Sequence, residues 1–413
     1  MQKIPRVQLG RRTILVAILA VLALAGATAA WAAAGPLGLQ LSQALSVPHV
    51  PSTDSGAAVL DLASGKPLYV HNGATPLAPA SNEKLTVTFA ALSALGPTFR
   101  IETDVLGEGE QVDGSWQGDL VLQGHGDPTL SSAGLRALAK RVRAAGIVRV
   151  TGGIVGDESW FDARRTAPGW KAAFYINESP PLSALTVDRA RYGRRVSREP
   201  ALAAALLFRA ALRSAGVAIA GPPRTGVADD DAVQLAEIES PTLATIVRGM
   251  DLASDNFTAE VLLKQLGAVQ LGKGTSAAGA AVVRRLLADA GIPLAGVRIV
   301  DGSGLSYSDR LTANTLVALL QTMWSDPTLR PTVMHALPVA GVSGTLEDRM
   351  RAGPARGNVV AKTGTTSIAS ALSGFVRGRF AFAVLQNGNP VSSWWARRAQ
   401  DRFATVLAAW TSG

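Results

Sequence analysis

The sequence predicts an α/β (α+β) protein in which an antiparallel sheet is flanked by helices and a large α+β region is inserted. Helical segments with apolar stripes alternate with short strand segments from about residue 57 to the C-terminus. The last three strand segments follow one another through tight turns, which is typical of antiparallel pairing. A long segment with a different residue pattern, rich in predicted turns and short strands, separates the first strands from these last three.

The length and composition predict a folded protein of two or three domains. The chain has 413 residues, of which 47% are hydrophobic and 17% charged, so it can bury sizeable cores. We expect a discontinuous main domain over residues 35–97 and 236–413, and one or two nested inserted domains over residues 98–235. The net charge of +9 comes from scattered arginines without a dense basic block, so we expect no nucleic-acid partner.

The first 34 residues predict export. Basic residues precede an uncharged apolar run from Thr13 to about Ala34, which is the pattern of a signal peptide. Ala30-Trp31-Ala32 and Ala32-Ala33-Ala34 both fit a cleavage site. The run is also long enough to span a bilayer as a retained membrane anchor, although we favour cleavage. Either interpretation places the remaining chain outside the cytoplasmic membrane, in the cell envelope or secreted.

The elements are expected in the following order. Strands at 57–62 and 67–71 precede a helix that begins near Ser81 and ends at Gly96-Pro97. The inserted region should contain strands at 101–106 and 119–123 joined by a turn-rich hairpin at 107–118, a helix at 132–145, a strand at 147–155, an irregular stretch at 189–200 and a helix at 199–215. Then come helices at 241–250, 255–266 with Ser254 as the N-cap, 276–290 and 312–324, strands at 358–361, 369–376 and 380–386, and a final helix at 394–409.

Three short motifs carry the chemistry. Ser81-Asn82-Glu83-Lys84 places a serine and a lysine one helical turn apart, on the same face. Ser254-Asp255-Asn256 follows 170 positions after Lys84, and Lys362-Thr363-Gly364 comes later. The S-x-x-K, S-D-N and K-T-G set is typical of penicillin-binding proteins and serine β-lactamases. Because the chain has only four histidines and no cysteine, its nucleophile would need a lysine as base.

The first two motifs predict an activated serine. Ser81 would be the nucleophile and Lys84 its base, provided that burial and a second cation, Lys362, lower the pKa of Lys84. Ser254 would relay a proton between the two lysines and the leaving amine. Asn256 would hold Lys84 and the substrate amide, whereas the Asp255 between them would point away.

The third motif predicts a substrate-binding strand edge. Lys362 would attract a substrate carboxylate, and the hydroxyls of Thr363 and Thr365 would bind it. Gly364 would let an extended peptide lie against the edge, as in β-strand addition. The N–H groups of Ser81 and Thr365 would form the oxyanion hole.

With these motifs, the chain resembles the low-molecular-mass class C penicillin-binding proteins, the D-alanyl-D-alanine carboxypeptidase/endopeptidase family of peptidase S13 type. The resemblance covers nearly everything from about residue 50 onward, including the large insert. Further stretches that resemble family blocks are 126–130, 167–170, 183–185, 301–306 and 337–341.

The resemblance implies a penicillin-binding protein/β-lactamase-like transpeptidase domain without a metal or cofactor. It also implies that peptidoglycan stem peptides ending in D-Ala-D-Ala acylate Ser81, release D-alanine and are then hydrolysed. Some members of the family also cut D-Ala–diaminopimelate cross-links. β-Lactams would acylate the same serine as covalent inhibitors.

One segment departs from the family pattern. Family members carry an acidic residue shortly after the block at 167–170, thought to read the free amine of diaminopimelate. Here Phe174 or a neighbour occupies that place, and Glu178 is the nearest carboxylate. We therefore expect a weaker or altered preference for that amine.

Two other functions stay open at this point. A serine β-lactamase of class A would need a deacylating glutamate, but Glu260 and Glu347 lack a Glu-x-x-x-Asn context. A catalytically inactive envelope scaffold could keep the fold, although the intact motifs argue against it.

Overall fold

The computed structural model describes residues 35–411. The signal peptide or anchor predicted at residues 1–34 therefore lies outside the described residues. Within residues 35–411, none of the helices combines the length and the apolar character that crossing a membrane requires.

The described residues contain helices on both sides of one sheet and a second, separate sheet. The helices are α1 (Pro36–Leu45), α2 (Lys84–Leu95), α3 (Ser132–Ala144), α4 (Pro200–Ser214), α5 (Leu243–Ala253), α6 (Asn256–Leu271), α7 (Ser276–Asp289), α8 (Ala313–Ser325), α9 (Leu329–Ala336) and α10 (Ser393–Ala409). The strands are β1 (Ser55–Asp61), β2 (Pro67–His71), β3 (Glu102–Val112), β4 (Ser115–Gly124), β5 (Arg149–Val150), β6 (Ile154–Asp157), β7 (Arg191–Tyr192), β8 (Arg195–Val196), β9 (Ala218–Ile219), β10 (Pro223–Thr225), β11 (Val233–Glu239), β12 (Val359–Thr365), β13 (Ala369–Val376) and β14 (Phe380–Asn387).

The first sheet has five strands in the order β12-β13-β14-β1-β2, and every neighbouring pair is antiparallel. Successive side chains of a strand point to opposite faces, and here both faces are covered. Leu60 and Phe375 pack with α2 and α5–α9, whereas Val59 and Phe382 pack with α1 and α10. The predicted antiparallel sheet flanked by helices is confirmed.

The second sheet has seven strands, all from the segment between Glu102 and Glu239. Its main path runs β10-β6-β4-β3-β11, with parallel and antiparallel pairs. Helices α3 and α4 cover it and share a separate apolar core with it, which includes Leu138 and Phe208. This unit leaves the helix-rich part after α2 and returns to it just before α5.

The expected elements of this second unit differ from the structure at three places. The sequence predicts a turn-rich hairpin over 107–118, and the hairpin is present, but β3 and β4 continue through this segment and turn only at Asp113-Gly114. Gly109 and Gly118 lie opposite each other, and a Cβ on either would come within 2.0 Å of the partner strand's carbonyl oxygen. These glycines allow close strand approach rather than ending the strands. The predicted strand 147–155 is likewise divided into β5 and β6, and the stretch 189–200 contains the hairpin β7–β8.

Candidate active site

Ser81 lies in a 3-10 turn, Ala80–Glu83, that leads directly into α2. The turn begins with Ala80 at φ 47°, a left-handed conformation that costs a non-glycine residue energy. Such strain is typical of segments whose surroundings hold a functional side chain in place. The helix predicted to begin near Ser81 therefore begins properly at Lys84, one turn later.

Lys84 is fully buried and its ammonium group contacts Ser81. Its Nζ donates to Ser81 Oγ at 3.1 Å, to Asn256 Oδ1 at 2.8 Å and to the Ser303 carbonyl at 2.7 Å. These three acceptors use all three N–H groups of an ammonium. Burial lowers the pKa of Lys84 to about 8, against the opposing effect of nearby carboxylates such as Asp301.

Lys362 is the second buried cation. Its Nζ donates to Ser254 Oγ at 2.8 Å and to the Thr363 carbonyl at 3.0 Å. Burial, and secondly the charge of Lys84, lowers the pKa of Lys362 to about 7. The sequence predicts that the charge of Lys362 lowers the pKa of Lys84. In the structure, the charge of Lys84 instead lowers the pKa of Lys362, and burial is the main cause that lowers the pKa of Lys84.

Ser254 does not cap α6, so this prediction is wrong. It is the C-cap of α5 in a left-handed conformation, φ 57° and ψ 41°. Asp255 is the N-cap of α6, and its carboxylate accepts from the Phe257 N–H at 3.2 Å and from the Thr258 hydroxyl at 2.6 Å. Because the two helices meet at a sharp corner, the Ser254 hydroxyl is free to reach Lys362.

The other two polar groups of the second motif face in opposite directions. Asn256 turns its carbonyl oxygen to Lys84 and donates from Nδ2 to the Glu178 carbonyl at 3.1 Å. Asp255 points away from Lys84, and Arg189 donates to both of its carboxylate oxygens at 2.7 and 2.8 Å. No sequence motif indicates Arg189 as this partner, because Arg189 lies in the inserted region.

The third motif lies on β12, at the edge of the five-stranded sheet. Thr363 Oγ1 shares a hydrogen bond with Thr345 Oγ1 at 2.7 Å, and Arg397 donates to Thr365 Oγ1 at 3.3 Å. The structure shows a use of Gly364 that differs from the prediction. A Cβ there would lie 3.0 Å from both the Ser81 nitrogen and the Pro79 carbonyl oxygen, so the glycine lets β12 lie against the turn that carries the nucleophile.

A cluster of buried carboxyl groups lies behind Lys84. Glu83, Glu260, Asp301 and Asp309 are buried, and burial is the main cause that raises the pKa of Glu83, Glu260 and Asp309. Burial, and secondly the like charge of Asp301, raises the pKa of Glu260 to about 8. Glu260 Oε1 accepts from the N–H groups of Gly302 at 2.8 Å and Ser303 at 3.0 Å.

This carboxyl cluster holds the loop 301–306, whose Ser303 carbonyl contacts Lys84. The segment 301–306 resembles a family block, but its sequence does not indicate that it lies at the site. Single residues such as Glu260 carry no motif signal, because their contact with the loop depends on the packing of α6. Within residues 35–411, no group of three or more His, Cys, Asp or Glu side chains has an arrangement that could hold a metal ion.

The geometry brings the motif residues together from distant parts of the chain. Ser81 contacts Lys84, Lys84 contacts Asn256, and Lys362 contacts Ser254. A hydroxyl next to a buried amine of lowered pKa can act as a nucleophile. Such an arrangement is suited to transfer of an acyl group to serine and then to water.

The comparisons with known proteins agree with this class of enzyme. The D-Ala-D-Ala carboxypeptidase 3 (S13) family matches residues 37–199 and 189–410. The chain is 34% identical to a D-alanyl-D-alanine carboxypeptidase of Actinomadura sp., over 87% of this chain and 82% of the relative. It is 25% identical to the D-alanyl-D-alanine carboxypeptidase DacB of Haemophilus influenzae, over 77% of this chain and 82% of the relative.

Solved structures show the same fold. The crystal structure of penicillin binding protein 4 from Haemophilus influenzae superposes with a TM-score of 0.79 at 23% identity, over 90% of this chain and 98% of that chain. A structure of the same protein complexed with a β-lactam has a TM-score of 0.72 at 25% identity, with the same coverage. The predicted penicillin-binding protein-like fold is confirmed. The chain is a serine peptidase and belongs to the D-Ala-D-Ala carboxypeptidase 3 (S13) family.

Proposed function

We propose that this protein is a D-Ala-D-Ala carboxypeptidase that acts on peptidoglycan stem peptides through an acyl-enzyme on Ser81. The observation that carries the proposal is the 3.1 Å hydrogen bond between Lys84 Nζ and Ser81 Oγ. Its family relatives support the substrate class. Export to the cell envelope follows from the N-terminal sequence pattern, with or without a retained membrane anchor.

Acylation would begin with the neutral form of Lys84. Its amine takes the Ser81 proton while Oγ attacks the penultimate D-Ala carbonyl carbon, and the N–H groups of Ser81 and Thr365 stabilise the oxyanion. The terminal carboxylate would bind the hydroxyls of Thr363 and Thr365 near Lys362.

Collapse of the tetrahedral intermediate would break the peptide bond. The leaving amine takes a proton from Ser254, which is replenished by Lys362 through their 2.8 Å hydrogen bond. D-Alanine leaves, and the proton that Lys84 took from Ser81 passes through Ser254 to Lys362. Water then attacks the acyl-enzyme with the neutral Lys84 again as the base, and this proton returns to Ser81 when the ester breaks. A penicillin would follow the first half of this path, and its opened ring would stay on Ser81.

Labelling with a fluorescent penicillin tests this proposal. We expect one labelled peptide, containing Ser81, and no labelling of Ser81→Ala. Lys84→Ala should lower the acylation rate by roughly 10²–10⁴-fold, the usual contribution of a positioned base. Lys140→Ala, which removes an exposed lysine of α3, is the matched control and should label normally. Normal acylation of the Lys84 variant would assign the base to another group.

Penicillins also separate this proposal from the two alternatives. A carboxypeptidase should give a burst of chromogenic penicillin hydrolysis and then stall, whereas a β-lactamase turns over steadily. The position of Glu260 supports the carboxypeptidase, because its carboxyl group is fully buried and bonded to backbone behind Lys84. Absence of any covalent label would favour an inactive scaffold.

The rim of the site supports an altered side-chain preference. Lys171 Nζ donates to Tyr307 Oη at 3.0 Å, and Tyr307 also bonds the Ser367 hydroxyl, two residues beyond Thr365. An ammonium group therefore lies in the segment where the family carries a carboxylate, and it would repel the free amine of diaminopimelate. We expect kcat/KM for diaminopimelyl and lysyl pentapeptides to be similar. A strong preference for the diaminopimelyl peptide would contradict this and would indicate that Glu178 reads the amine.

A further inference from the structure

A left-handed turn of three consecutive non-glycine residues lies in the inserted region. Asp188, Arg189 and Ala190 have φ values of 46°, 57° and 60°. This conformation is strained for L-residues, because Cβ comes too close to the following carbonyl oxygen. Such strain persists only where the surroundings fix the backbone, and it is typical of segments that hold a functional side chain in place.

Contacts on both sides hold this turn. The Asp188 carboxylate accepts from the Ser132 N–H at 3.2 Å and from the Ser132 hydroxyl, at the start of α3. The Asp188 N–H donates to the Leu130 carbonyl at 2.9 Å, and the Ala190 carbonyl accepts from the Ser197 N–H at 2.8 Å, just after β8. The turn is therefore fixed to α3 and to the hairpin β7–β8.

The turn presents the Arg189 side chain to the second motif. Arg189 donates to both carboxylate oxygens of Asp255 at 2.7 and 2.8 Å, and its guanidinium lies 5.3 Å from the centroid of the Phe257 ring. A bidentate pair of this kind fixes the orientation of both groups. Because Asp255 also accepts from the Phe257 N–H and the Thr258 hydroxyl, it joins the inserted region to the first turn of α6.

Asp255 lies between two residues of the candidate active site. Ser254 precedes it and contacts Lys362, whereas Asn256 follows it and contacts Lys84. Ser254 is also in a left-handed conformation, so this corner needs contacts that hold it. Since the three residues are consecutive, a carboxylate that is fixed from the inserted region limits the movement of the hydroxyl and of the carboxamide together.

We propose that Arg189 is a positioning residue: the strained turn 188–190 fixes its guanidinium on Asp255, and this contact keeps Ser254 on Lys362 and Asn256 on Lys84. This inference rests on the proposed function and deepens it, because it makes the inserted region necessary for the geometry of the reaction. Arg189 acts through Asp255 and does not contact Ser81.

Arg189 also balances a charge near the base. Burial lowers the pKa of Lys84, and the charge of Asp255 is one of the effects that oppose this. Loss of the Arg189 charge should therefore raise the pKa of Lys84, because an unbalanced carboxylate favours the protonated amine. The other charged or titratable groups that act on Lys84, or on which Lys84 acts, stay unchanged in the test: Glu83, Asp251, Glu260, Asp301 and Lys362.

The test measures acylation of the purified protein by benzylpenicillin between about pH 6 and pH 8, around the pKa values of the two lysines. Arg189→Met keeps the side-chain length but removes the charge and both donors. Its rate constant should fall roughly tenfold at neutral pH, because small displacements of reacting groups are costly. The pH at which its rate constant rises should also be higher than in wild type. Arg189→Lys restores the charge without the bidentate contact, so it should restore this pH but only part of the rate.

Arg189→Gly separates positioning from stability. Glycine adopts the left-handed conformation without strain. This variant should therefore be at least as stable to heat as Arg189→Met, and yet be acylated as slowly. A merely structural role of Arg189 would instead make the acylation rate follow stability.

Arg165→Met is the matched control, because it removes another bidentate pair of the inserted region. Arg165 donates to both carboxylate oxygens of Glu158 at 2.5 Å and to the Leu182 carbonyl. At a temperature where all variants are folded, its acylation rate should stay within about twofold of wild type, since distant sites act independently.

Two results would overturn the inference. One is that Arg189→Met and Arg189→Gly are both acylated within about twofold of the wild-type rate, which would show that the contact does not position the motif. The other is an equal loss of rate in Arg165→Met, which would attribute the effect to stability. A wild-type protein that benzylpenicillin does not acylate would instead overturn the proposed function, and the inference with it.

Discussion

Lys84 contacts Ser81 Oγ, and the second buried amine, Lys362, lies near enough to Lys84 for the charge of Lys84 to lower its pKa. Burial lowers the pKa of Lys84 to about 8, and burial together with the charge of Lys84 lowers the pKa of Lys362 to about 7. Between these values the pair holds about one proton, which belongs to both groups because they interact. The proposed function needs the form of this state in which Lys84 is neutral and Lys362 is charged, and this is the minor form because the pKa of Lys84 is the higher of the two.

The pH dependence of acylation should report this pair. Below about pH 7 both amines are charged and no base is available, so the rate constant should rise as pH increases through 7. Above about pH 8 the second proton is lost and with it the charge that attracts the carboxylate, so the rate constant should fall. Stopped-flow measurement of penicillin acylation at constant ionic strength gives the profile. A rate constant that is flat from about pH 6 to pH 9 would show that neither amine titrates in this range.

At the residue scale, the sequence predicts the side chains of the three motifs but not the groups with which they form hydrogen bonds or ion pairs. Ser81 and Lys84 share a helical face by spacing alone, so their contact is predictable. The contact of Lys84 with the Ser303 carbonyl and the pairing of Asp255 with Arg189 depend on tertiary packing. No local pattern encodes such contacts, since the partners lie far apart in the chain.

At the scale of elements, the loop 301–306 supports the turn that carries Ser81. Gly304 has φ 79°, and a Cβ there would come within 1.8 Å of the Ala80 carbonyl oxygen. Two glycines therefore pack closely against the turn that carries Ser81: Gly304 from the loop 301–306 and Gly364 from β12. The position of the nucleophile is set by these contacts as much as by α2 itself.

Gly304→Ala should therefore disturb catalysis through position. The substitution meets both a positive φ and a backbone carbonyl that cannot move without shifting Ala80. A misplacement of about 1 Å can cost on the order of 10²-fold in rate, so we expect at least tenfold slower penicillin acylation. Gly353→Ala is a suitable control, because it also has a positive φ of 75° but no atom within 4 Å of the added Cβ. Equal acylation rates in the two variants would mean that the contact with Ala80 is unimportant.

The elements themselves were largely predictable where periodicity was strong. The strands β13 and β14 and the helix α10 occur where apolar patterning placed them. The prediction failed where glycine and serine have more than one use. Gly109 and Gly118 sit inside paired strands, and Ser254 ends one helix instead of starting the next. The presence of glycine or serine predicts the end of a helix or strand. Tertiary packing determines whether such a residue forms a turn, allows two strands to approach closely or caps a helix.

At the scale of the whole molecule, the five-stranded and seven-stranded sheets have separate apolar cores, and α6 packs in the first of these cores. Sequence predicted the antiparallel main sheet and the inserted region from the spacing of the motifs, but it could not define the boundaries, which stay a prediction at residues 98 and 235. The inserted region contacts α6 through Asp162, Arg164 and Arg189. Because α6 begins with Asn256, these contacts join the inserted region to the active site.

Lys264 of α6 is the most deeply buried of these connections. Its side chain is 1% exposed, and its ammonium group donates to the Asp162 carboxylate and, at 3.2 Å, to the Arg164 carbonyl. Asp162→Ala would leave the ammonium buried without a counter-charge. Removal of one partner from a buried ion pair typically costs about 3–5 kcal/mol, so we expect a large loss of thermal stability.

The reverse substitution should behave differently. Lys264→Met removes the buried charge and keeps the volume of the chain, while the Asp162 carboxylate, 29% exposed, can be hydrated. We expect a change within about 1 kcal/mol, since apolar replacement of a buried charge is often nearly neutral. The double variant Asp162→Ala/Lys264→Met should recover most of the stability that Asp162→Ala alone loses, which thermal unfolding of the four proteins measures as a double-mutant cycle. If the double variant is as unstable as Asp162→Ala, the unpaired ammonium does not cause the loss of stability. Asp162 would then stabilise the protein through contacts within its own loop.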